Sequence, residues 1–585
     1  MKTESHNKLS TIFKLCMFSM LMFTFSCTQD SVLHGENLEV ANAKSNNSIL
    51  KTFIQGAALN GANGIDIGAD GNLYIASING QEIVVMNKNN GKIINRFGPE
   101  SGVLGPDDLV FGPDGTLYWT DLLTGFVGRM TPDGVQLGYQ FVGQGVNPIT
   151  FSEDGRLFVA LDFLGDGLYE LDPELIDPPR PIVVCSDPDN PFCLGFFNSF
   201  NVGPDGRLYG PLFALNLVIS VNVDPGNPVT SDPFNDPNLD LQIVAGLGGE
   251  FSNPAAAKFG PDGLLTVSDQ SSKVFKIDIQ NNNELTLFTT LPPALDNMTF
   301  DSDGTLYMTN ADEGWVAEIL PSGQPRYISP GGMILPQGLA VIEGSDGKDK
   351  LYEADLFRLR QFNASSGRQE NIYKGILVPE GPESLILPMN ISADGDNLII
   401  SSWFSSGVQV WNPDLGVIDS YPDVEVPIDA VRVNGDIVVS DVVLGGVVYA
   451  SDNSLIAPLF VASGLATDGE TLWAADWATG DIWQIEFDGT PATIVASGLA
   501  KPEGLALDLE GRLLVVETGT SQLSRVDLAT GEVTVLAQGL ELFGEGLGSP
   551  PTWGFDGVAV GSNGDIYISG AGATVVYRIR ANKVR

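Results

Sequence analysis

The stretch DDLVFGPDGTLYWTD, residues 107–121, decides the fold. Two short apolar runs flank Asp114-Gly115, and the second ends on Asp121. Glycine after aspartate supplies the positive φ that a tight hairpin needs, so the phrase reads as strand, turn, strand. The phrase recurs as PITFSEDGRLFVALD (148–162), AAAKFGPDGLLTVSD (255–269), DNMTFDSDGTLYMTN (296–310), EGLALDLEGRLLVVE (503–517) and DGVAVGSNGDIYISG (556–570). Weaker copies begin near Gly64, Ser199, Gly338, Pro388, Ala430 and Gly464, making twelve. Ile65 to Val558 spans eleven intervals of about 45 residues.

A unit of that length with four alternating runs is a propeller blade, a four-stranded antiparallel sheet. The expectation is an all-β chain of two tandem six-bladed β-propellers, over 48–320 and 325–585, rather than one twelve-bladed ring. The last blade ends TVVYRIRANKVR with a third strand and no fourth, while SILKTFI (48–54) stands alone before the first blade. This predicts that 49–54 closes blade six and that 326–329 closes blade twelve.

Composition agrees with many short strands. Gly 68 and Pro 36 in 585 residues exceed average usage, at 43% apolar residues. Thirty Lys and Arg against 73 Asp and Glu give a formal charge of −43, which disfavours a nucleic-acid partner. The two histidines, His6 and His34, both precede the first blade. Imidazole bases, His-ligated zinc and Ser-His-Asp triads are thereby excluded from the propellers.

Residues 1–26 read as a secretory signal, with Lys2, Lys8 and Lys14 before an eleven-residue apolar run at 15–25. That run is too short for a spanning helix, which needs about 20 residues. Cys27 after Thr24-Phe25-Ser26 resembles a lipoprotein box, although Thr24 stands where leucine is usual. The resemblance implies lipidation of Cys27, a polar tether over 27–47, and a cell-envelope protein attached to the membrane through lipid alone. Cys185 and Cys193 flank SDPDNPF and are expected to form a local disulfide in an oxidising compartment.

The first strand of each blade lines the channel, and its start lies at the mouth. The residue four places before the last apolar position of each first strand gives Asn63, Asp107, Asn147, Asn198, Ala255 and Asp296 in the first propeller. Three amides and two carboxylates converging on one axis match the oxygen donors of a hard divalent cation, Ca²⁺ before Zn²⁺ or Mg²⁺. The same count gives Gln337, Leu387, Asp429, Ser463, Glu503 and Asp556 in the second propeller. Trp403, Trp477 and Trp553 are placed near that second mouth, where aromatic faces beside carboxylates suit a carbohydrate. Trp411, Trp473 and Trp483 read as packing between blades. The acids ending second strands, Asp121, Asp162, Asp269, Asp355, Asp441, Asp476 and Glu517, read as turn caps. GEGLG (544–548) lacks the strand-to-helix context of a nucleotide loop.

The strand–(P/x)DG–strand–Asp phrase, with PDDL, DNM, PEGL and FDGV at strand starts, resembles the NHL-repeat and gluconolactonase (senescence-marker-protein) group of six-bladed propellers over residues 55–585. The resemblance implies a metal at the mouth held by Glu, Asn and Asp, with Asn63, Asp107, Asn147, Asn198 and Asp296 matching in position and type. Asp429, Glu503 and Asp556 match the Glu/Asp set in the second ring. The group's usual Glu has no counterpart in the first ring, where Glu250 and Asn297 are only nearby. Two functions follow as expectations. One is a metal-dependent lactone or ester hydrolase with Asp107 or Asp296 as base, Glu503 or Asp556 being the alternatives. The other is a non-catalytic surface protein that binds a glycan or a protein.

Overall fold

The computed structural model describes residues 49–187, 189–356, 358–374, 385–543 and 554–583. The expected signal, Cys27, the tether, Trp553 and GEGLG lie outside them. Among the described residues the chain forms twelve four-stranded antiparallel sheets. No helix there is long and apolar enough to cross a membrane. The described chain divides into two compact units, 57–332 and 49–56 with 333–583.

In the first unit six sheets follow in chain order, and their innermost strands touch in a closed ring from Ile65–Ile67 round to Leu295–Phe300. In the second unit the ring runs from Pro336–Glu343 round to Val558–Val560 and closes there. Each unit is therefore a complete six-bladed propeller, and a single twelve-bladed ring is excluded. Blades are numbered one to six and seven to twelve in this order.

Closure differs from the expectation. Pro325–Ser329 pairs with Val316–Ile319 of its own blade six, so the first propeller is built wholly from consecutive strands. Leu50–Gln55 pairs instead with Val575–Ile579 and completes blade twelve. The division falls at 56/57 and 332/333, and the strand expected to open the first propeller belongs to the second. Packing gives the physical reason. Ile54 lies in one core cluster with Leu339, Phe362, Ala559 and Val576. The Phe53 ring meets Tyr567 at 5.6 Å and lies 3.8 Å beneath the Arg578 guanidinium. Leu50 packs with Val558, Ile568 and Ile579.

The hairpins follow the turn chemistry. Phe111 pairs with Leu117, and Gly112 and Gly115 complete a three-residue loop with Gly115 at φ 84. That is a type I turn followed by a left-handed residue, a position where glycine carries no steric cost. Blades eight and nine depart from it. Asp394 pairs with Asn397 and Val433 with Asp436, leaving two-residue turns. Val, Ile, Leu and aromatic side chains of neighbouring sheets fill the space between blades, as between blades three and four around Phe158, Phe197 and Phe200. The Cys185–Cys193 disulfide is present there.

Candidate functional site

Strand pairing fixes which residue of each blade reaches the mouth. Asp107 and Asp296 immediately follow the first paired residues of their inner strands, and Asn147 does the same in blade three. Asn63 and Asn198 donate their backbone N–H to Ala76 and Pro211, which sets them level with the others. Ala255 follows Pro254 in the same way, so the six first-ring positions share one layer. Asn63 and Asn147 are buried, while Asp107, Asn198 and Asp296 are half-buried.

Among the described residues no Lys or Arg is paired with these carboxylates. Burial, and then Asp108, pushes Asp107 up to about 7. Burial, then repulsion from Asp107 and Asp108, holds Asp296 well above the carboxylate range, and the Asn63 amide offsets part of this. Two of the amides are turned to backbone. The Asn63 Oδ1 accepts from the Ile78 N–H at 3.3 Å, and the Asn198 Oδ1 from the Ser199 N–H at 2.7 Å. Among the described residues no three His, Cys, Asp or Glu side chains are grouped to hold a metal.

One layer deeper lies a closure that the sequence reading passed over. Asp108 Oδ1 accepts from Asn297 Nδ2 at 2.9 Å, and Asn297 Oδ1 accepts from Ser199 Oγ at 2.8 Å. These residues come from blades two, six and four, so alternate blades meet on the axis and shut the channel beneath the mouth. Gly64 of blade one makes the space, since a Cβ there would sit 2.5 Å from Asp108 Oδ1 and 2.6 Å from its Cα. Further down, Asp66 accepts from the Phe111 and Ile67 N–H groups, and Lys258 donates to the Phe200 carbonyl. Burial lifts Asp108 to about 6 against the attraction of Lys258.

The second-strand acids cap loops in six of the seven blades named. Asp121 accepts from the Leu104 and Gly105 N–H groups, Asp355 from Ile334 and Leu335, Asp441 from Val426, and Asp476 from Phe460. Asp269 accepts from Ser252, and Glu517 from Ala500. Asp162 is the exception and no cap. Its side chain's one polar contact among the described residues is Asn147 Nδ2 at 3.5 Å, and its Oδ1 is buried without a partner there.

In the second propeller four positions hold and two do not. Gln337, Ser463, Glu503 and Asp556 lie in the mouth layer. Leu387 lies outside it and Met389 takes that place, because Asn390 pairs with Ser401 at the level of Asp108. Asp429 sits one layer too deep, its N–H donating to Ser440 Oγ as that of Asp108 does to Thr120 Oγ1. Ile428 occupies the mouth there. The two errors run in opposite directions and come from the apolar residue used to start the count: Ile391 lies two residues before Ala393, which holds the level of Phe111, whereas the apolar Val433 holds the level that Gly112 takes in blade two.

Asp429 accepts from the Ala430 and Leu465 N–H groups and the Ser392 hydroxyl, and burial still pushes it up to about 7. It borders an axial cavity of about 190 Å³ walled mainly by Gly, Ala, Val and Leu. Above it, Glu503 Oε2 accepts the Asp556 N–H at 2.9 Å, while Asp556 accepts from the Phe543 and Ala571 N–H groups. Burial pushes Glu503 up to about 8, and burial with repulsion from Glu503 holds Asp556 well above its usual range. Both side-chain amide atoms of Gln337 are buried without a partner.

Trp477 is half-buried with the Lys501 ammonium 4.8 Å from its ring, and it borders Glu503 closely enough to lower that acid. Its indole nitrogen has no partner within bonding distance, so the effect on Glu503 is one of proximity rather than a formed bond. Trp403 is buried edge-on against Phe404 at 5.7 Å and serves packing. Trp411 lies between Tyr352 and Tyr373, and Trp473 and Trp483 join core clusters, all as expected.

No family model and no curated protein matches the sequence. Solved propellers do. A streptogramin B lyase structure is 16% identical, covers 52% of this chain and 94% of its own, and has a TM-score of 0.36. A gluconolactonase from Xanthomonas campestris is 15% identical over 45% of this chain and 86% of its own, TM-score 0.34. PorZ of Porphyromonas gingivalis, a surface component of the type-IX secretion system, is 11% identical over 91% of this chain and 87% of its own, TM-score 0.39. The likeness lies in the propeller architecture alone.

Proposed function

We propose that this is an exported, lipid-anchored protein whose first propeller takes a hard divalent cation at its mouth and hydrolyses a lactone or ester there. The observation that carries the reading is the placing of Asp107 and Asp296 in one layer with no basic partner among the described residues. Asp107 raises Asp296, Asp108 raises Asp107, and neither Asp107 nor Asp296 accepts a backbone N–H among the described residues. Two carboxylates with the amides of Asn63, Asn147 and Asn198 form an oxygen set of the kind hard cations take. When bound, such an ion polarises a carbonyl oxygen and stabilises charge that develops on it. Asp107, lying near 7, is placed to take a proton from water at neutral pH. The Asp108–Asn297–Ser199 closure keeps solvent from draining down the channel below.

The full chain, stripped with chelator and assayed on a panel of lactones and aryl esters, tests this. Hydrolysis is expected to vanish, to return with Ca²⁺, Mg²⁺ or Zn²⁺, and to fall at least 100-fold in kcat/KM in Asp107→Asn. Turnover indifferent to chelation and to that substitution overturns it.

A second reading, capture of a glycan by the second propeller, is favoured by Trp477, whose ring is half-open beside Glu503 and Lys501, and by Phe460, 82% exposed beside it. Glycan-array binding lost in Trp477→Ala supports it, and unchanged binding in that variant refutes it.

A further inference from the structure

Blade three carries two carboxylates that no part of the hydrolase reading uses. In the capped blades the acid pairs with the first residue of its inner strand, as Asp121 with Pro106, Asp269 with Pro254 and Glu517 with Pro502. In blade three that partner, Val146, pairs with Leu161. Asp162 is one residue further along, and a one-residue step turns a side chain to the opposite face. It therefore points away from the loop amides that its counterparts cap.

Leu161 pairs with Gly167, so Asp162 and Asp166 flank the end of the same hairpin, with Phe163 at φ 59 making the reversal. Asp166 Oδ2 accepts the Leu194 and Gly195 N–H groups at 2.8 and 2.7 Å. Those two amides directly follow Cys193, so the disulfide fastens the loop that orients Asp166. Among the described residues neither Asp162 Oδ1 nor Asp166 Oδ1 has a donor within bonding geometry, although the Phe196 and Gly167 N–H groups lie close enough to lower Asp166, and Asp162 is 0% and Asp166 6% exposed. Among the described residues no basic side chain offsets Asp162, whose charged neighbours are Asp166, Asp107 and Asp108, all of one sign. Burial and this repulsion hold Asp162 well above the usual range, and burial lifts Asp166 to about 6.

We infer that Asp162 Oδ1 and Asp166 Oδ1, with the Asn147 amide beside them, hold a hard divalent cation of the Ca²⁺ class at the hairpin end of blade three. A buried carboxylate oxygen left without a donor costs more than a lost hydrogen bond. Carried at the two sides of one hairpin end, the two carboxylates supply the charge that six to eight oxygen ligands around Ca²⁺ require, with water completing the shell. Asn147 reaches the site through its 3.5 Å contact with Asp162 and needs only to rotate its amide to present oxygen. The site shares Asn147 with the mouth set around Asp107 and Asp296 but draws its charge from Asp162 and Asp166, and it does not depend on hydrolysis.

Calcium titration by calorimetry on the chelator-stripped full chain tests it, together with melting in chelator and in Ca²⁺. Asp162→Asn and Asp166→Asn are each expected to weaken one calcium site at least tenfold. Both variants should melt above the wild type in chelator, where repulsion is relieved, and below it in saturating Ca²⁺. Asp107→Asn should leave this site intact, so that loss of hydrolysis and loss of this site are told apart. Unchanged calcium binding in both variants, no calcium uptake by the wild type, or a lower melting point in chelator overturns the inference.

Discussion

Replacing Asn297 with leucine tests whether the first channel is shut by the three-blade contact. Leucine keeps asparagine's branching and heavy-atom count but neither donates nor accepts. The substitution removes the bond to Asp108 Oδ1, the bond from Ser199 Oγ and the 2.8 Å bond from the Met298 N–H. The bond to the acid is worth about 2 kcal/mol, and each of the two orphaned donors costs about 1 kcal/mol, giving roughly 4 kcal/mol. For a unit of this size about 1 kcal/mol moves Tm by about 2 °C, so the first propeller should melt about 8 °C lower. Differential scanning calorimetry reads the shift, and the transition belonging to this propeller is the one that moves with reductant, since it holds the Cys185–Cys193 disulfide. Adding Ser199→Ala removes one orphaned hydroxyl and should recover about 1 kcal/mol, or about 2 °C. A shift under 1 °C, or a further loss in the double variant, refutes the closure.

In chelator, acidification should stabilise the chain. Asp107, Asp429 and Glu503 are all raised on folding, to about 7, 7 and 8. Their contribution is therefore present below the unfolded carboxylate range near 4 and is lost as pH climbs through those raised values. Tm at pH 5.5 should exceed that at pH 8 by about 5 °C or more, and a Tm that is flat or rises towards pH 8 contradicts the burial of these acids. Removal of Leu50–Gln55 should lower the transition of the second propeller and leave the reductant-sensitive one in place, because the strand completes blade twelve. A synthetic peptide of 49–56 should restore it, and an unchanged second transition would show that the strand is dispensable.

The blade repeat was legible because its signal is local: alternating apolar residues and a glycine that must take positive φ. The mouth layer of the first propeller was legible for the same reason, since its Asp-Gly-type turns hold a regular count from turn to mouth. Where the last apolar residue does not hold the level of Phe111 the count fails: Ile391, two residues early, put Leu387 in a ring that contains Met389, and Val433, one residue late, raised Asp429 by a layer. Ring closure was not legible. A strand at 50–55 completes an antiparallel sheet at either edge equally well by pattern, and the choice rests on Ile54 and Phe53 meeting Val576, Tyr567 and Arg578, contacts more than 500 residues apart in the chain.

Asp162 shows how fine the deciding signal can be. In blades two, five and eleven the terminal acid lies six residues after the turn glycine: Gly115 to Asp121, Gly263 to Asp269, Gly511 to Glu517. In blade three the step from Gly155 to Asp162 is seven. On a strand whose side chains alternate, an odd extra residue reverses the face. The position that should cap the loop became Leu161, and the acid turned towards Asp166 and Asn147. A motif match on residue type alone assigns Asp162 to the caps, whereas its spacing assigns it to the opposite face.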